Sequence, residues 1–274
     1  MSRALIDGDI VTYSVGHACD TVKYICRNTN VEFATKSAAD AGSTDWYIEV
    51  ESEPIENCLH SVKLMLADIV DKAGCTSKTI YLTGKDNFRA EIYWEYKANR
   101  KGQRKPTHYE AIREYLIKYH TAIVINNMEA DDALGIEQCR AIAEGETTVI
   151  CTIDKDLDMI PGWHYNWKRL ENPLYSMEDP ECLRIFFKQC LTGDAGDNIP
   201  GLFKIMKKKA TKARKEAIDG MDTFDEMWDY VSEQYEGHEM FPVIASLLWI
   251  KRKPDGGRVQ EILESRDGKE DPAL

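Results

Sequence analysis

Thr148-Val149-Ile150-Cys151-Thr152-Ile153-Asp154-Lys155-Asp156 is a run of apolar and β-branched residues that stops abruptly on acids. Such a run reads as a buried strand whose end delivers carboxylates to the edge of a sheet. Working outward, Ala4–Ile6 is a second short apolar run, and it ends in Asp7-Gly8-Asp9. Thr79–Leu82 and Ala122–Ile125 are two more strand candidates. The stretches between them have the period of helices. Pro54–Ala73 is apolar at 55, 58, 59, 62, 65, 66, 69 and 70 and is followed by Gly74, which stops a helix. Thr107-x-x-Glu110 predicts a capping box opening a helix to about Tyr119, and Met128–Ala143 predicts a helix closed near Gly145. Between Asp20 and Glu53 only Trp46–Val50 carries a period, the alternation of a strand.

Strands that alternate with helices predict an α/β fold with a mostly parallel central sheet flanked by helices. Functional sites in such sheets lie beyond the carboxyl ends of the strands, where Asp7 and Asp154 stand. After about Asp179 the pattern turns all-helical, with helices at Glu181–Leu191 and about Ile205–Ile218, Phe224–Gln234 and Glu239–Ile250. A helix over 205–218 puts Lys204 and Lys208 one turn apart on one face. The polar tail Lys253–Leu274 is expected to fray at its end.

With 274 residues, 43% of them hydrophobic, the chain has ample material for a main core and a smaller second one. No apolar run is long enough for a membrane span, and the N-terminus turns acidic too early for a secretory signal. Eight scattered cysteines without zinc spacing read as reduced thiols of a cytoplasmic protein. Net charge is −12, from 47 acids against 35 bases, which is not the usual profile of a nucleic-acid binder. The charges segregate, however. Residues 97–105 (KANRKGQRK) carry five bases and no acid, and residues 204–215 (KIMKKKATKARK) carry seven and no acid.

Four acidic groups stand apart: Asp7, Glu129 to Asp132, Asp154 with Asp156, and Asp194 with Asp197. Taken singly each has an ordinary structural explanation, as a helix first turn or a loop. Asp154-x-Asp156-x-Asp158 opens like a calcium loop, but Met159 and Tyr165 stand where that loop needs Gly and Glu. Taken together, a parallel sheet brings the four groups to one edge, where so many carboxylates demand cations. Hard oxygen donors suit Mg²⁺ or Mn²⁺, and two such ions can drive phosphodiester hydrolysis.

The segments Leu5–Asp9, Tyr96–Arg100 (YKANR), Met128–Asp132 (MEADD), Thr152–Asp156 (TIDKD) and Gly193–Gly201 (GDAGDNIPG) follow one another in the order of the motifs of the 5′→3′ exonuclease/flap endonuclease family, which the chain resembles, its bacteriophage members most. The resemblance implies a PIN-like nuclease domain over 1–179, with a short arch or clamp near 89–127. A helix–three-turn–helix DNA-binding region follows over 180–274. It implies one metal group from Asp7, Glu129, Asp131 and Asp132, and a second from Asp154, Asp156, Asp194 and Asp197. Lys97 and Arg100 match the basic pair that contacts the scissile phosphate. Lys101, Arg104 and Lys105, with Lys204, Lys207, Lys208, Lys209 and Lys212, are then the phosphate-contacting candidates. The substrate is DNA with a 5′ end (duplex, flap or branched, with RNA–DNA hybrid as an extension), cut by a monomer in the cytoplasm, that of the host if phage-encoded.

The chain departs from the family in three places. Gly84 stands where the family has an Asp, with Asp86 two residues on as the candidate replacement. Only 28 residues separate Arg100 from Glu129, which predicts a clamp in place of a closed arch. Lys204 and Met206 replace hairpin glycines, so the resemblance does not extend to the family's backbone phosphate contact or its potassium ion. Two other readings match parts of the pattern: a non-catalytic protein that binds DNA structures through a degraded metal site, which Gly84 favours, and a PIN-type ribonuclease.

Overall fold

Alternation along Ser2–Asp7, strand β1, sends Ala4 and Ile6 to one face of a sheet and Leu5 to the other, all fully buried. The computed structural model describes residues 2–42, 45–257 and 259–262. In chain order the elements are α1 (Gly8–Ala18), β2 (Asp20–Cys26), β3 (Glu32–Phe33), α2 (Lys36–Gly42), β4 (Trp46–Ser52), α3 (Ile55–Lys72), β5 (Ser77–Thr83), α4 (Phe88–Ile92), α5 (Tyr109–His120), β6 (Ile123–Ile125), α6 (Ala130–Ala143), β7 (Thr147–Cys151), β8 (Gly162–Tyr165) and β9 (Leu174–Met177). The helices α7 (Asp179–Thr192), α8 (Leu202–Met206), α9 (Lys212–Asp219), α10 (Phe224–Gln234) and α11 (Met240–Leu248) complete it.

Among the described residues the main sheet runs β6-β5-β1-β7-β8-β9, parallel except for the β8–β9 hairpin. Helices α1, α3 and α5 cover the Ile6 face, where Val62, Leu66, Ile112 and Leu116 are buried. Helix α6 covers the Leu5 face through Ala130, Ala133 and Leu134. Both faces are therefore dry, as a parallel sheet requires. The central α/β expectation is met, and so is the switch to helices after residue 179.

Several local expectations are not met. The Asp20–Glu53 stretch forms a separate antiparallel sheet, β3-β2-β4, of which the sequence showed only β4. The Thr107 capping box does not form, because the Thr107 amide is spent on Asp20 (3.1 Å) and α5 begins after His108 with no side-chain cap. The helix over 205–218 is two helices. Lys207 takes the left-handed conformation (φ 58°) between α8 and α9, so Lys204 and Lys208 do not share one helical face. Within 89–127, Arg89, Tyr96, Ile112 and Leu116 are buried and β6 pairs with β5. Residues 263–274, most of the tail expected to fray, lie outside the described residues.

Helices α7 to α11 enclose their own core of Phe186, Phe187, Trp228, Tyr235 and Phe241, and Tyr96 and Met159 from the first part of the chain enter it. The two parts are pinned by Arg89, which is 2% exposed. Its guanidinium donates to both carboxylate oxygens of Asp132 (2.6 and 2.9 Å) and to the Leu247 and Trp249 carbonyls, within and just beyond α11 (both 2.8 Å). Removing one partner of a buried pair strands the other charge and costs about 3–5 kcal/mol. Arg89→Ala is therefore expected to lower unfolding stability in urea by about that much, and Arg89→Met with Asp132→Leu to recover most of it. A loss below about 1 kcal/mol for Arg89→Ala would show that the pin is dispensable.

Candidate metal centre and acidic cleft

Each strand of the parallel sheet ends at the same edge, and the acids follow the ends. Asp7 closes β1 and caps α1, accepting from the Ile10 amide (3.0 Å) and the Thr152 hydroxyl (3.0 Å). Glu129 and Asp131 open α6, just after β6. Asp154 and Asp156 follow β7 in a tight turn in which the Asp156 amide donates to Asp154 (2.9 Å). Asp194 and Asp197 come from the loop after α7. Asp7, Glu129, Asp131, Asp154, Asp156, Asp194 and Asp197 line one cleft of about 320 Å³, joined by Asp9, Lys97 and Arg100.

The 194–201 loop reaches the cleft because its ends close backbone to backbone. A Cβ on Gly193 would meet the Gly201 nitrogen at 2.4 Å, and one on Gly201 the Thr192 carbonyl at 2.2 Å. The loop then clamps the basic segment: the Lys97 amide donates to the Asp197 carbonyl (2.9 Å), Asn99 to the Ala195 carbonyl (2.8 Å) and Asn198 to the Glu95 carbonyl (2.8 Å). Lys97 is ion-paired with Glu129 and lies 3.5 Å from Asp197, while Arg100 is paired with Asp197. Tyr96 hydroxyl stands 3.0 Å from Glu129 and 3.1 Å from Asp197, a buried donor that bridges the two groups of acids.

The acids strain against each other. Burial, aided by repulsion from Asp9 and Asp154, pushes Asp7 up to about 7 despite its hydrogen bonds. Burial and the charges of Asp7, Glu129 and Asp154 hold Asp131 well above the carboxylate range. Burial with Asp154 and Asp194 raises Asp156 to about 6. Asp197 is raised by burial, with Lys97 and Arg100 opposing. Burial and mutual repulsion raise these acids, a divalent cation would relieve that repulsion, and hard carboxylate oxygens suit Mg²⁺ or Mn²⁺, so the donor set fits such an ion. Among the described residues no three acids converge on one point as they stand. Lys97 and Arg100 draw Glu129 and Asp197 onto themselves, and backbone amides and hydroxyls hold Asp7, Asp154 and Asp194.

Two candidates fall out of the cleft. Asp132 is 0% exposed and wholly engaged by Arg89 and the amides of Glu129 (3.1 Å) and Lys251 (3.0 Å), so it is a structural partner. Burial alone would raise its proton affinity, but the Arg89 charge together with the hydrogen bonds from Arg89, Lys251 and Glu129 outweighs burial and holds it below the usual carboxylate value. Asp86 is exposed and does not line the cleft. No acid fits at 84 without movement, since a Cβ there would meet Asn126 Oδ1 at 2.3 Å and the Ile125 carbonyl at 2.7 Å. Asp9 was missed although it sits in the Asp7-Gly8-Asp9 motif. It lines the cleft and is held by Arg113 (2.7 Å) and the Thr83 amide (2.9 Å). Among the phosphate-contact candidates, Arg104 is committed to Asp20, Lys105 lies 3.6 Å from Glu110, Lys204 3.8 Å from Glu95, Lys212 3.4 Å from Glu216, and Lys208 pairs with Glu236. The lysine pairs are largely exposed, weak and open to competition by phosphate, whereas the Asp20 side chain is buried beneath Arg104. Lys101, Lys207 and Lys209 are exposed.

A parallel α/β sheet with carboxylates gathered beyond its C-terminal edge, continued by a helical region that completes the cleft, defines an acidic-cleft α/β protein. The family model described as "5'-3' exonuclease, N-terminal resolvase-like domain" matches residues 44–164, less than half of the chain. DNA polymerase I of Bacillus caldotenax is 30% identical over 173 residues, 57% of this chain and 20% of that protein. The 5'-3' exonuclease of Buchnera aphidicola subsp. Schizaphis graminum (strain Sg) is 31% identical over 144 residues, 48% of this chain and 49% of that one. The chain thus spans half or less of the length of these relatives. The crystal structure of the T5 D15 protein with metal ions shares the fold, with a TM-score of 0.58 at 16% identity over 90% of this chain and 89% of that one. The bacteriophage T5 D15 flap endonuclease in a pseudo-enzyme–product complex with DNA and metal ions gives 0.57 at 14% identity, over 97% and 100%. The resemblance read from five motifs is borne out at the level of family and fold. No helix among the described residues is long and apolar enough to cross a membrane.

A carboxyl whose folded pKa is raised destabilises the fold once it must ionise. For Asp156 that penalty is absent below the unfolded value near 3.8, grows as pH rises, and is complete above about 6. In a chelator at pH 8, Asp156→Asn should raise Tm by roughly 5 °C, and the gain should vanish near pH 3.5. Thermal melts of the two proteins at both pH values check this, and an unchanged or lowered Tm at pH 8 would contradict the strained-cleft account.

Proposed function

We propose that the chain is a divalent-metal-dependent nuclease that hydrolyses DNA phosphodiester bonds at or near a 5′ end, as exonuclease and flap endonuclease. One observation carries this: a single cleft collects Asp7, Glu129, Asp131, Asp154, Asp156, Asp194 and Asp197 and, among the described residues, is lined by the cations Lys97 and Arg100. A family match to 5'-3' exonucleases and a fold shared with a flap endonuclease support it. Asp7, Asp9, Glu129 and Asp131 would hold one Mg²⁺, and Asp154, Asp156, Asp194 and Asp197 a second, which together would supply Lewis acidity and a water of lowered pKa.

The chain's own residues do the rest. Lys97 and Arg100 reach the cleft from a segment whose backbone is locked to the 194–201 loop, so only their side chains need to exchange partners to meet the scissile phosphate. When a phosphate takes over those cations, Glu129 and Asp197 are released toward metal. Tyr96 keeps the freed carboxylates oriented, and burial holds its own phenol protonated, so it acts as a donor. Arg113 fixes Asp9 and the Thr83 carbonyl at the end of β5. Lys101, Lys204, Lys207, Lys208, Lys209 and Lys212 would follow the duplex backbone as exchangeable phosphate contacts.

A binding-only protein remains the second reading, favoured by Gly84. Cleavage assays separate the two. Asp154→Ala with Asp156→Ala should abolish Mg²⁺-dependent cleavage while duplex affinity holds or rises, because the lost charges repel DNA. Full activity in that variant would remove these acids from the metal site. Lys97→Ala and Arg100→Ala should each cut the single-turnover rate by roughly 100-fold or more and affinity far less. A change in affinity alone would make either residue a positioning contact.

A further inference from the structure

Trp94 is 80% exposed, a large aromatic side chain left in water beside the cleft. Its backbone is not loose. The Tyr96 amide donates to the Tyr93 carbonyl (2.9 Å), which puts Trp94 at the first corner of a turn, facing outward. Both flanks are anchored: Tyr93 packs against the C-terminal core, and Tyr96 is buried in it. The carbonyl of Glu95 accepts from Asn198 (2.8 Å) and from the Ala98 amide (3.0 Å). The ring therefore projects from a fixed platform.

That platform is at the rim of the cleft. Lys97, three residues on, lines the cleft, and three chain steps span at most about 10 Å. The neighbourhood is mixed in charge: Glu91 and Glu95 flank Trp94, Lys97, Arg100 and Lys101 follow in sequence, and Lys204 lies 3.8 Å from Glu95. An indole exposed on a fixed turn three residues before a cation of the cleft is placed to meet the face of a nucleobase whose phosphates reach Lys97 and Arg100.

We propose that Trp94 stacks on an unpaired base of the strand that enters the cleft, and so makes the site prefer ends with unpaired nucleotides over fully paired ones. This rests on the nuclease reading and assigns the residue that sets its substrate preference. A paired, stacked base keeps both faces covered by its neighbours, so only an unpaired one offers a face to the indole.

The test measures affinity in chelator for a duplex with a 5′ single-stranded extension, for the same DNA with single abasic sites along the extension, and for a blunt duplex. Trp94→Ala should weaken binding of the extended DNA roughly tenfold, Trp94→Phe much less, and the blunt duplex less than twofold. One abasic position should cost the wild type the same factor and cost Trp94→Ala nothing more. Equal losses on extended and blunt DNA, no loss on either, or an abasic penalty that persists in Trp94→Ala would each overturn the stacking role. A wild type that cuts DNA in Mg²⁺ while Trp94→Ala binds extended DNA like wild type sinks this proposal alone. A wild type that neither binds nor cuts DNA sinks the nuclease reading with it.

Discussion

The buried pair between Arg89 and Asp132 is the joint on which the rest of the molecule hangs. Taking a guanidinium and a carboxylate out of water is costly unless every polar atom is met. Here it is met by four bonds from Arg89 and two backbone amides onto Asp132. One of those amides belongs to Glu129, so the same pair sets the first turn of α6, from which Glu129 and Asp131 face the cleft. Arg89 also lies in α4, which leads directly into the segment carrying Tyr96, Lys97 and Arg100. Its bonds to the Leu247 and Trp249 carbonyls hold the helical region against the sheet. A buried charge behind the cleft, 3.8 Å from Glu129, thus fixes the relative positions of the two parts that build it.

The cleft opposes that order. Asp7, Asp131 and Asp156 are buried beside other acids, and each holds its proton more tightly than a carboxyl in water would. The fold tolerates this because its centre lies elsewhere, in two dry sheet faces and an aromatic helical core. Lys97, Arg100 and Arg113 offset part of the repulsion in place. Lys97 and Arg100 are also the groups a phosphate would engage, so the interactions that steady the resting cleft are the ones a substrate would exchange.

How much of this was legible in the sequence depended on the range of the interaction concerned. Strand β7 and its terminal Asp154 were readable because a buried parallel strand writes itself as an unbroken apolar run. The acids came to one cleft because parallel strands share an edge, a rule that needs no side-chain detail. Asp132 was misassigned because it sits in the same Glu129–Asp132 cluster as true cleft acids, and its partner Arg89 is 43 positions away. No local pattern marks such a pair. Strands β2 and β3 were opaque because they are partly exposed and carry mixed charge, so no period stands out, whereas β4 showed its alternation. The break at Lys207 was hidden because a lysine in the left-handed conformation is set by how α8 and α9 pack on α7, while composition alone favoured one continuous helix. Gly84 could be seen as a departure, but only the closeness of Asn126 and Ile125 shows why an acid does not stand there.

The account stands or falls on whether the acidic cleft hydrolyses DNA with a divalent cation. The direct measurement is product size from a 5′-labelled flap substrate and a 5′-labelled blunt duplex incubated with the wild-type protein, each in Mg²⁺ and in chelator. The account predicts short labelled products from both substrates in Mg²⁺ and none in chelator. Equal cleavage in chelator, or intact DNA in both Mg²⁺ and Mn²⁺, would contradict it.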